Sequence, residues 1–329
     1  MPSSLAATAD AADGFDAVAA LIRRPEIRRL VVTGNGASYY VAVAMWLASL
    51  ENGSEKVEVV AVPAGLVARG RFHWQPGDML MAISASGEFR DVIEAVEDPR
   101  LPRPFALVTS QPTSTLAKLA DAVAIVTVSP QKAITHTFAF ASAVLACLSI
   151  WARVTGDDSL TRAVGGAADA TSAAIEATGS WAQSALSDLV IPPASMIFGD
   201  GPAWAGALEG ALLIKEVSRL PSEGVESREG VTATMTGMLP GQMAVALQMS
   251  DDPFIDEARA VCESRGFVFL LAPGGQLADR RLAAITTFPA ISALSAEMAV
   301  IRGWNPDDPE WIQTYYTTAR RSGVGSPTA

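Results

Sequence analysis

The feature that most constrains the fold is a series of short apolar segments that is repeated in the same order in the two halves of the 329-residue chain. Residues 196–201 match residues 31–36 at a shift of 165, and residues 245–250 match residues 79–84 at a shift of 166. Two later pairs of runs repeat at similar shifts. A shift that stays near one value over four runs indicates a duplicated unit rather than two unrelated domains.

In each half, the short apolar runs alternate with helix-like segments. This order is typical of a parallel β-sheet covered by helices on both faces. We predict an α/β fold of two tandem doubly wound, flavodoxin-like parallel-sheet subdomains related by a pseudo-two-fold duplication. The predicted strands are residues 29–33, 57–62, 79–84, 105–109, 122–128, 196–198, 245–250, 267–271 and 283–288. The predicted helices of the first half are residues 39–50, 91–96 and 116–120.

The chain length fits about two domains of roughly 150 residues each. The predicted segments are an N-terminal extension with a helix over residues 1–24, a first domain over 25–155, a helical linker over 156–185, a second domain over 186–318 and a flexible C-terminal tail over 319–329.

The charge balance argues against one class of partner. The chain has 24 basic and 35 acidic side chains and a net charge of −11, whereas nucleic acid is bound by a concentrated positive field. We therefore expect no nucleic-acid partner. A small phosphorylated ligand stays compatible, because a local group of backbone amides can hold an anion within an acidic protein.

The cysteines, the histidines and the hydropathy pattern bear on the cellular compartment, on metal binding and on membrane insertion. Cys147 and Cys262 stand far apart in apolar surroundings, which predicts reduced core thiols in a cytoplasmic protein. With only His73 and His136, we expect no metal site, and we predict no cofactor. Residues 138–152 are nearly all apolar but fall short of the ~20 residues that cross a bilayer, so we predict a buried core helix and no membrane partner.

Two of the strand ends carry residues suited to ligand binding. Residues 34–38, Gly-Asn-Gly-Ala-Ser, allow a close approach of the backbone to a ligand, or form a tight turn in which Ser38 caps the next helix. Residues 84–88, Ser-Ala-Ser-Gly-Glu, offer hydroxyls and free amides as an anion pocket, to which Arg90 could add a charge. The alternative is a serine-capped helix with Glu88 in its first turn.

A third segment, residues 207–216, reads as a helix with two carboxylates seven residues apart. Glu209 and Glu216 lie on one face of that helix. A solvated charged face is the ordinary explanation of such a pair. Here the helix is apolar over much of its circumference, so we expect at least one carboxylate to be partly buried, which raises its pKa toward the range useful for proton transfer.

These three segments, in this order, resemble the double-SIS (sugar isomerase) domain family over residues 30–318. The family includes the isomerase half of glucosamine-6-phosphate synthase and stand-alone aminosugar-phosphate isomerases and deaminases. The specific parts are Ile-Ser-x-Ser-Gly-Glu at residues 83–88 and Glu-Gly-Ala-Leu-x-x-Lys-Glu at 209–216. Residues 302–309, Arg-Gly-Trp-Asn-Pro-Asp-Asp-Pro, are also similar to a family signature.

The resemblance implies a role for particular residues. Glu216 matches the glutamate that moves a proton between C1 and C2 of the opened sugar. The residues implied in substrate binding are Gly36, Ala37, Ser38, Ser84, Ala85, Ser86, Gly87 and Lys215. His136, within Thr-His-Thr at 135–137, stands near the position of a family Thr-Lys pair and is a candidate proton donor, or a structural histidine.

The sequence also departs from the family pattern. Phe89 replaces a threonine of the phosphate-binding set, and Leu213 replaces a lysine. Thr232 stands where relatives carry the histidine that opens the sugar ring, and the family's C-terminal lysine falls at about Thr314. These replacements suggest a substrate that needs no ring opening, or a different acid.

The resemblance thus implies an enzyme that isomerises or deaminates a sugar or aminosugar phosphate, with a diverged active site. The alternative is a non-catalytic sensor that binds a sugar phosphate. In both cases the predicted partner is a small-molecule sugar or sugar phosphate. A homodimer is expected by analogy with the family.

Overall fold

In the computed structural model, the structure describes residues 1–54, 56–129, 135, 137–187, 189–247, 254–274, 279–305 and 317–319. The chain divides into two compact units. The first unit is formed chiefly by Ser4–Pro130 and Phe138–Thr161, and the second chiefly by Arg162–Asp307.

The first unit contains a five-stranded sheet in which every strand pair is parallel. Its strands are β1 (Arg29–Gly34), β2 (Glu58–Pro63), β3 (Asp78–Ile83), β4 (Phe105–Thr109) and β5 (Ala122–Ile125), in the order β2-β1-β3-β4-β5. The helices up to the end of this unit are α1 (Pro2–Ala9), α2 (Ala12–Ile22), α3 (Ala37–Glu51), α4 (Ala64–Ala68), α5 (Arg90–Glu97), α6 (Thr115–Leu119), α7 (Thr137–Thr155) and α8 (Asp158–Gly165). All six residues of β3 are buried, as is typical of a central strand covered on both faces.

The second unit contains a parallel sheet in the order β7-β6-β8-β9. Its strands are β6 (Ser195–Gly199), β7 (Ser222–Glu226), β8 (Met243–Leu247) and β9 (Val268–Ala272). Its helices are α9 (Ala167–Thr178), α10 (Trp181–Leu186), α11 (Ala203–Leu213), α12 (Ser227–Thr232), α13 (Phe254–Arg265), α14 (Ala283–Thr286) and α15 (Phe288–Ile301). The described residues of this unit also include a π-helical turn (Ile214–Ser218) and two 3-10 turns (Thr234–Gly237 and Arg280–Leu282).

The predicted α/β class with two doubly wound parallel sheets is confirmed. Both sheets place their first strand between the second and third, so the chain crosses in opposite directions on either side of that strand. The carboxyl ends of such strands border a crevice at the point where the strand order reverses, and ligands of open α/β sheets bind there. In the first unit, the loops after β1 and β3 flank this point.

In the second half, one strand prediction was wrong and one strand was missed. Residues 283–288, predicted as a strand, form α14 and the start of α15. Every residue over 281–291 is buried, and a run that is apolar on all sides fits a buried helix as well as a buried strand. The strand β7 was missed because its sequence, Ser-Glu-Gly-Val-Glu, is polar and lies at the edge of the sheet.

The apolar stretch over residues 138–152 is a core helix, as predicted. It forms most of α7, whose residues are largely buried in the first unit. Two helical stretches, Thr137–Thr155 and Arg280–Ile301, are long and apolar enough to cross a bilayer, but 72% and 67% of their most apolar windows are buried inside the protein. Such burial is typical of core helices.

Candidate functional site

The loop after β3, residues 84–88, carries four of the residues predicted to bind a substrate, Ser84, Ala85, Ser86 and Gly87; we call it the serine loop. The amide of Ser84 continues the sheet by donating to the Val108 carbonyl at 3.0 Å. Ser84 is only 2% exposed, because it lies where the buried strand ends. The serine loop therefore starts from a fixed point at the carboxyl edge of the sheet.

Each serine of the loop accepts a hydrogen bond from an amide that follows it. Ser84 Oγ accepts from the Gly87 amide at 3.1 Å, and Ser86 Oγ accepts from the Glu88 amide at 3.3 Å. Within the described ranges, neither hydroxyl donates a hydrogen bond, and the amides of Ala85 and Ser86 donate to no protein group. Two hydroxyl hydrogens and two amides are thus available to an anion.

Neighbouring loops hold the serine loop in place. The Ala85 carbonyl accepts hydrogen bonds from Thr109 Oγ1 at 3.1 Å and from Ser110 Oγ at 2.9 Å. The two carboxylate oxygens of Glu88 accept from the amide and the hydroxyl of Thr115, both at 2.8 Å. Glu88 therefore binds the start of α6, and its predicted alternative place in the first turn of α5 was wrong.

Gly87 is required by this arrangement. Its φ is +65°, and a Cβ at this position would lie 2.1 Å from Ser114 Oγ. Ser114 in turn caps α6 by accepting from the Ala117 amide at 3.2 Å. The close contact between the serine loop and the α6 cap leaves no space for a side chain.

The start of α5 differs from the serine-capped alternative. Its N-cap residue is Phe89, which makes no side-chain cap, and its ring is half-buried against the apolar cluster that includes Leu80 and Ile93. Arg90 is exposed and forms ion pairs with Asp91 at 3.8 Å and Glu94 at 3.9 Å on its own helix. The donors of the serine loop are therefore neutral groups.

The loop after β1 lies beside the serine loop at the same edge of the sheet. Gly34 is in close contact with α3, since a Cβ there would lie 2.6 Å from the Ser38 backbone. Gly36 has a φ of +54° and is the N-cap of α3, so the alternative in which Ser38 caps this helix was wrong. Asn35 Nδ2 donates to Asp91 Oδ2 at 3.4 Å, which joins this loop to the helix that follows β3.

In the second unit, α11 and the π-helical turn carry the two predicted carboxylates. Glycines let α11 pack closely on its neighbours: a Cβ at Gly224 of β7 would lie 2.6 Å from the Ala207 carbonyl, and one at Gly210 would lie 2.7 Å from Ile291. Glu209, near the end of α11, is 6% exposed. Glu216 lies in the π-helical turn and is half-buried.

Burial changes the acidity of both carboxyls. It raises the pKa of Glu209 to about 8, and the negative charge of Glu216 adds to the effect. In the described part of the chain, Glu209 Oε2 has no hydrogen-bond partner. Burial also raises the pKa of Glu216, against the opposing charge of Lys215. At neutral pH, Glu209 is therefore mostly protonated, and Glu216 is a stronger base than an ordinary carboxylate.

The other predicted positions are less informative. Lys215 is exposed, next to Glu216. Thr232 is also exposed, and its hydroxyl donates to the Arg228 carbonyl at 2.7 Å. His136 and Thr314 lie outside the described residues.

Two features of the second unit were not predicted from the sequence. The π-helical turn is invisible to hydrophobic periodicity, because Ile214–Ser218 has the composition of an ordinary helix. The loop after β6 contains Asp200, whose carboxylate accepts from Arg280 at 2.7 Å. The two residues are 80 positions apart, and no local pattern relates them.

Comparison with known proteins identifies the first half of the chain. The profile of the SIS domain matches residues 25–154. Residues 25–154 are a SIS domain. A relative from Aeropyrum pernix, glutamine–fructose-6-phosphate aminotransferase (isomerizing), is 28% identical over 314 aligned positions, and the match covers 85% of this chain and 50% of the relative. The chain spans about half the length of that relative.

Solved structures share the fold of this chain at low sequence identity. The C-terminal domain of glucosamine-fructose-6-phosphate aminotransferase from Francisella tularensis has a TM-score of 0.80 and 19% identity, covering 94% of this chain and 95% of its own. Glucosamine-6-phosphate deaminase from Thermotoga maritima has a TM-score of 0.73 and 20% identity, covering 94% and 96%.

Proposed function

We propose that this chain is an enzyme that acts on a sugar phosphate or an aminosugar phosphate, by aldose–ketose isomerisation or by deamination. The observation that carries the proposal is the serine loop of a SIS domain, with two hydroxyl hydrogens and two amides that have no acceptor in the described part of the first unit. Such a group of neutral donors at the carboxyl edge of a parallel sheet binds a phosphate.

Glu216 is the proposed general base. In an isomerisation, its carboxylate takes the proton from the carbon next to the carbonyl and returns it to the neighbouring carbon. A base for this step needs a pKa above the ordinary carboxyl range, which burial gives to Glu216. The names of the two aminotransferase relatives and of the deaminase support the substrate class.

A sensor that binds a sugar phosphate without turnover is the second candidate. The observation in its favour is Thr232, which stands where relatives carry the ring-opening histidine and whose hydroxyl is bonded to its own helix. An exposed threonine hydroxyl does not donate a proton near neutral pH. A sensor, unlike an enzyme, does not exchange hydrogen atoms between the substrate and the solvent.

The decisive experiment is solvent exchange in heavy water. Fructose 6-phosphate and glucosamine 6-phosphate are incubated with the protein, and proton NMR follows deuterium at C1 and C2. If the protein is an enzyme, deuterium is incorporated and Glu216→Gln abolishes the incorporation. The control variant Glu229→Gln changes an exposed carboxylate of α12 and should retain the incorporation. Binding of either sugar by calorimetry, with no exchange at any carbon, would favour the sensor.

The binding role of the serine loop has its own test. Ser86→Ala removes one free hydroxyl donor, and we expect the dissociation constant for a sugar phosphate to rise about tenfold or more, because hydrogen bonds to charged groups contribute about 1.5–3 kcal/mol. Equal affinities for both proteins would place the phosphate elsewhere.

We also propose that the protein works in the cytoplasm as a homodimer, with no cofactor or metal. Both cysteines are buried and free, which fits a reducing compartment. Light scattering after size exclusion measures the oligomeric state, and a monomer mass would refute the dimer.

A further inference from the structure

The turn that carries Glu216 has an unusual backbone. After α11 ends at Leu213, Ile214–Ser218 forms a single π-helical turn, and Arg219 follows with a φ of 52°. A left-handed conformation costs a non-glycine residue of order 1–2 kcal/mol, and π-helical turns are rare. Both features persist only where the surrounding structure stabilises them.

Two buried serines hold the π-helical turn to α15. Ser295 of α15 donates from its Oγ to the Leu213 carbonyl at 3.2 Å. Ser218, the last residue of the turn, donates from its Oγ to the Ser295 carbonyl at 2.8 Å. Both serines are 0% exposed, so water does not compete for these hydrogen bonds. The turn is thus bonded to α15 just before its first residue and at its last.

A third contact follows the turn. The Arg219 guanidinium carbon lies 4.1 Å from the ring centroid of Trp304, three residues beyond the end of α15. A cation over an indole ring is favourable by about 0.5–2 kcal/mol. This contact offsets part of the cost of the left-handed backbone at Arg219.

We propose that Ser218 and Ser295 are positioning residues for Glu216: their hydroxyls lock the π-helical turn and so hold the Glu216 carboxylate in its half-buried place. An α-helix rotates 100° per residue, and a π-helix rotates less. Relaxation of the turn to α geometry would therefore swing Glu216 by some tens of degrees about the helix axis. The inference rests on the role of Glu216 in the proposed function.

The test reads out Glu216 directly, in the full-length chain labelled with ¹³C at the glutamate carboxyls. Glu216→Gln assigns the signal, and a pH titration gives the pKa of Glu216 in each variant. The test variants are Ser218→Ala and Ser295→Ala. The matched control is Ser149→Ala in α7, which removes an equally buried serine hydroxyl bonded to a helix carbonyl, that of Leu145 at 2.8 Å.

We expect both test variants to shift the pKa of Glu216 toward the ordinary carboxyl value, and the control to leave it unchanged. The ionisable neighbours Lys215 and Glu209 are retained in all variants, so a shift reports a change in the burial or orientation of Glu216. An unchanged titration in both folded test variants would overturn the proposal. Should the alanine variants not fold, Ser218→Cys and Ser295→Cys replace the hydroxyl with a thiol, which is a weaker hydrogen-bond donor, and the same criterion applies.

A second measurement separates this proposal from the function. If the wild-type protein exchanges substrate hydrogen in heavy water, Ser295→Ala should lower kcat about tenfold with KM within twofold, and Ser149→Ala should lower neither. If the wild-type protein shows no exchange, the proposed enzyme fails, and the Glu216 titration still decides whether the serines position the carboxyl.

Discussion

Glu209→Gln tests whether α11 folds with a protonated acid inside it. Burial raises the pKa of Glu209 from 4.5 to about 8. A group whose pKa is raised on folding stabilises the folded state fully when the pH is below its pKa in the unfolded chain, 4.5. This stabilisation is lost as the pH rises through its pKa in the folded protein, about 8. At pH 7, folding must add a proton that the unfolded chain has released, which costs about 3 kcal/mol. Glutamine is neutral at every pH and avoids this cost.

We therefore expect the free energies of unfolding of Glu209→Gln and of the wild-type protein to differ least at pH 4. At pH 7, we expect the free energy of unfolding of the variant to exceed that of the wild-type protein by about 3 kcal/mol more than it does at pH 4. Urea unfolding at pH 4, 5.5, 7 and 8.5 measures the difference. Glu176→Gln, which removes an exposed carboxylate of α9, controls for the loss of one charge. A difference that is the same at all four pH values would refute the reasoning, because it would show that Glu209 is not protonated on folding.

Three further predictions concern the serine loop. Gly87→Ala should lower the free energy of unfolding by about 2 kcal/mol or more and weaken sugar-phosphate binding, because its Cβ would overlap Ser114 Oγ; urea unfolding and calorimetry measure both. Phe89→Thr should tighten phosphate binding about tenfold by adding a hydroxyl, at a cost of about 1–3 kcal/mol in stability from lost packing. Binding should change little between 50 and 300 mM salt, since the loop donors are neutral and Arg90 pairs with its own helix; a steep decline would reveal a cation in the site.

The two sheets were predicted from the sequence more accurately than the candidate site. Runs such as residues 105–109 are short, apolar and bounded by turn residues, so their strand was predicted to the residue. The strand prediction for residues 283–288 was wrong because a buried helix and a buried strand have the same composition. The serine loop was located by its residues, but its rigidity comes from Thr109, Ser110 and Thr115, whose contacts cross between loops.

The two sheets show how a duplicated fold can divide its chemistry. Gly34 and Gly199 make the same close turn after the first strand of each sheet, since a Cβ would lie 2.6 Å from the Ser38 backbone in one and 2.8 Å from the Ala203 backbone in the other. The next residue differs: Asn35 is neutral, whereas Asp200 carries a carboxylate that pairs with Arg280. The Asp200–Arg280 pair has no net charge, so its guanidinium attracts a phosphate less than an unpaired arginine would. The loop after β3 in the first unit therefore suits an anion, and the second unit carries the buried carboxyl of Glu209 and the half-buried carboxyl of Glu216.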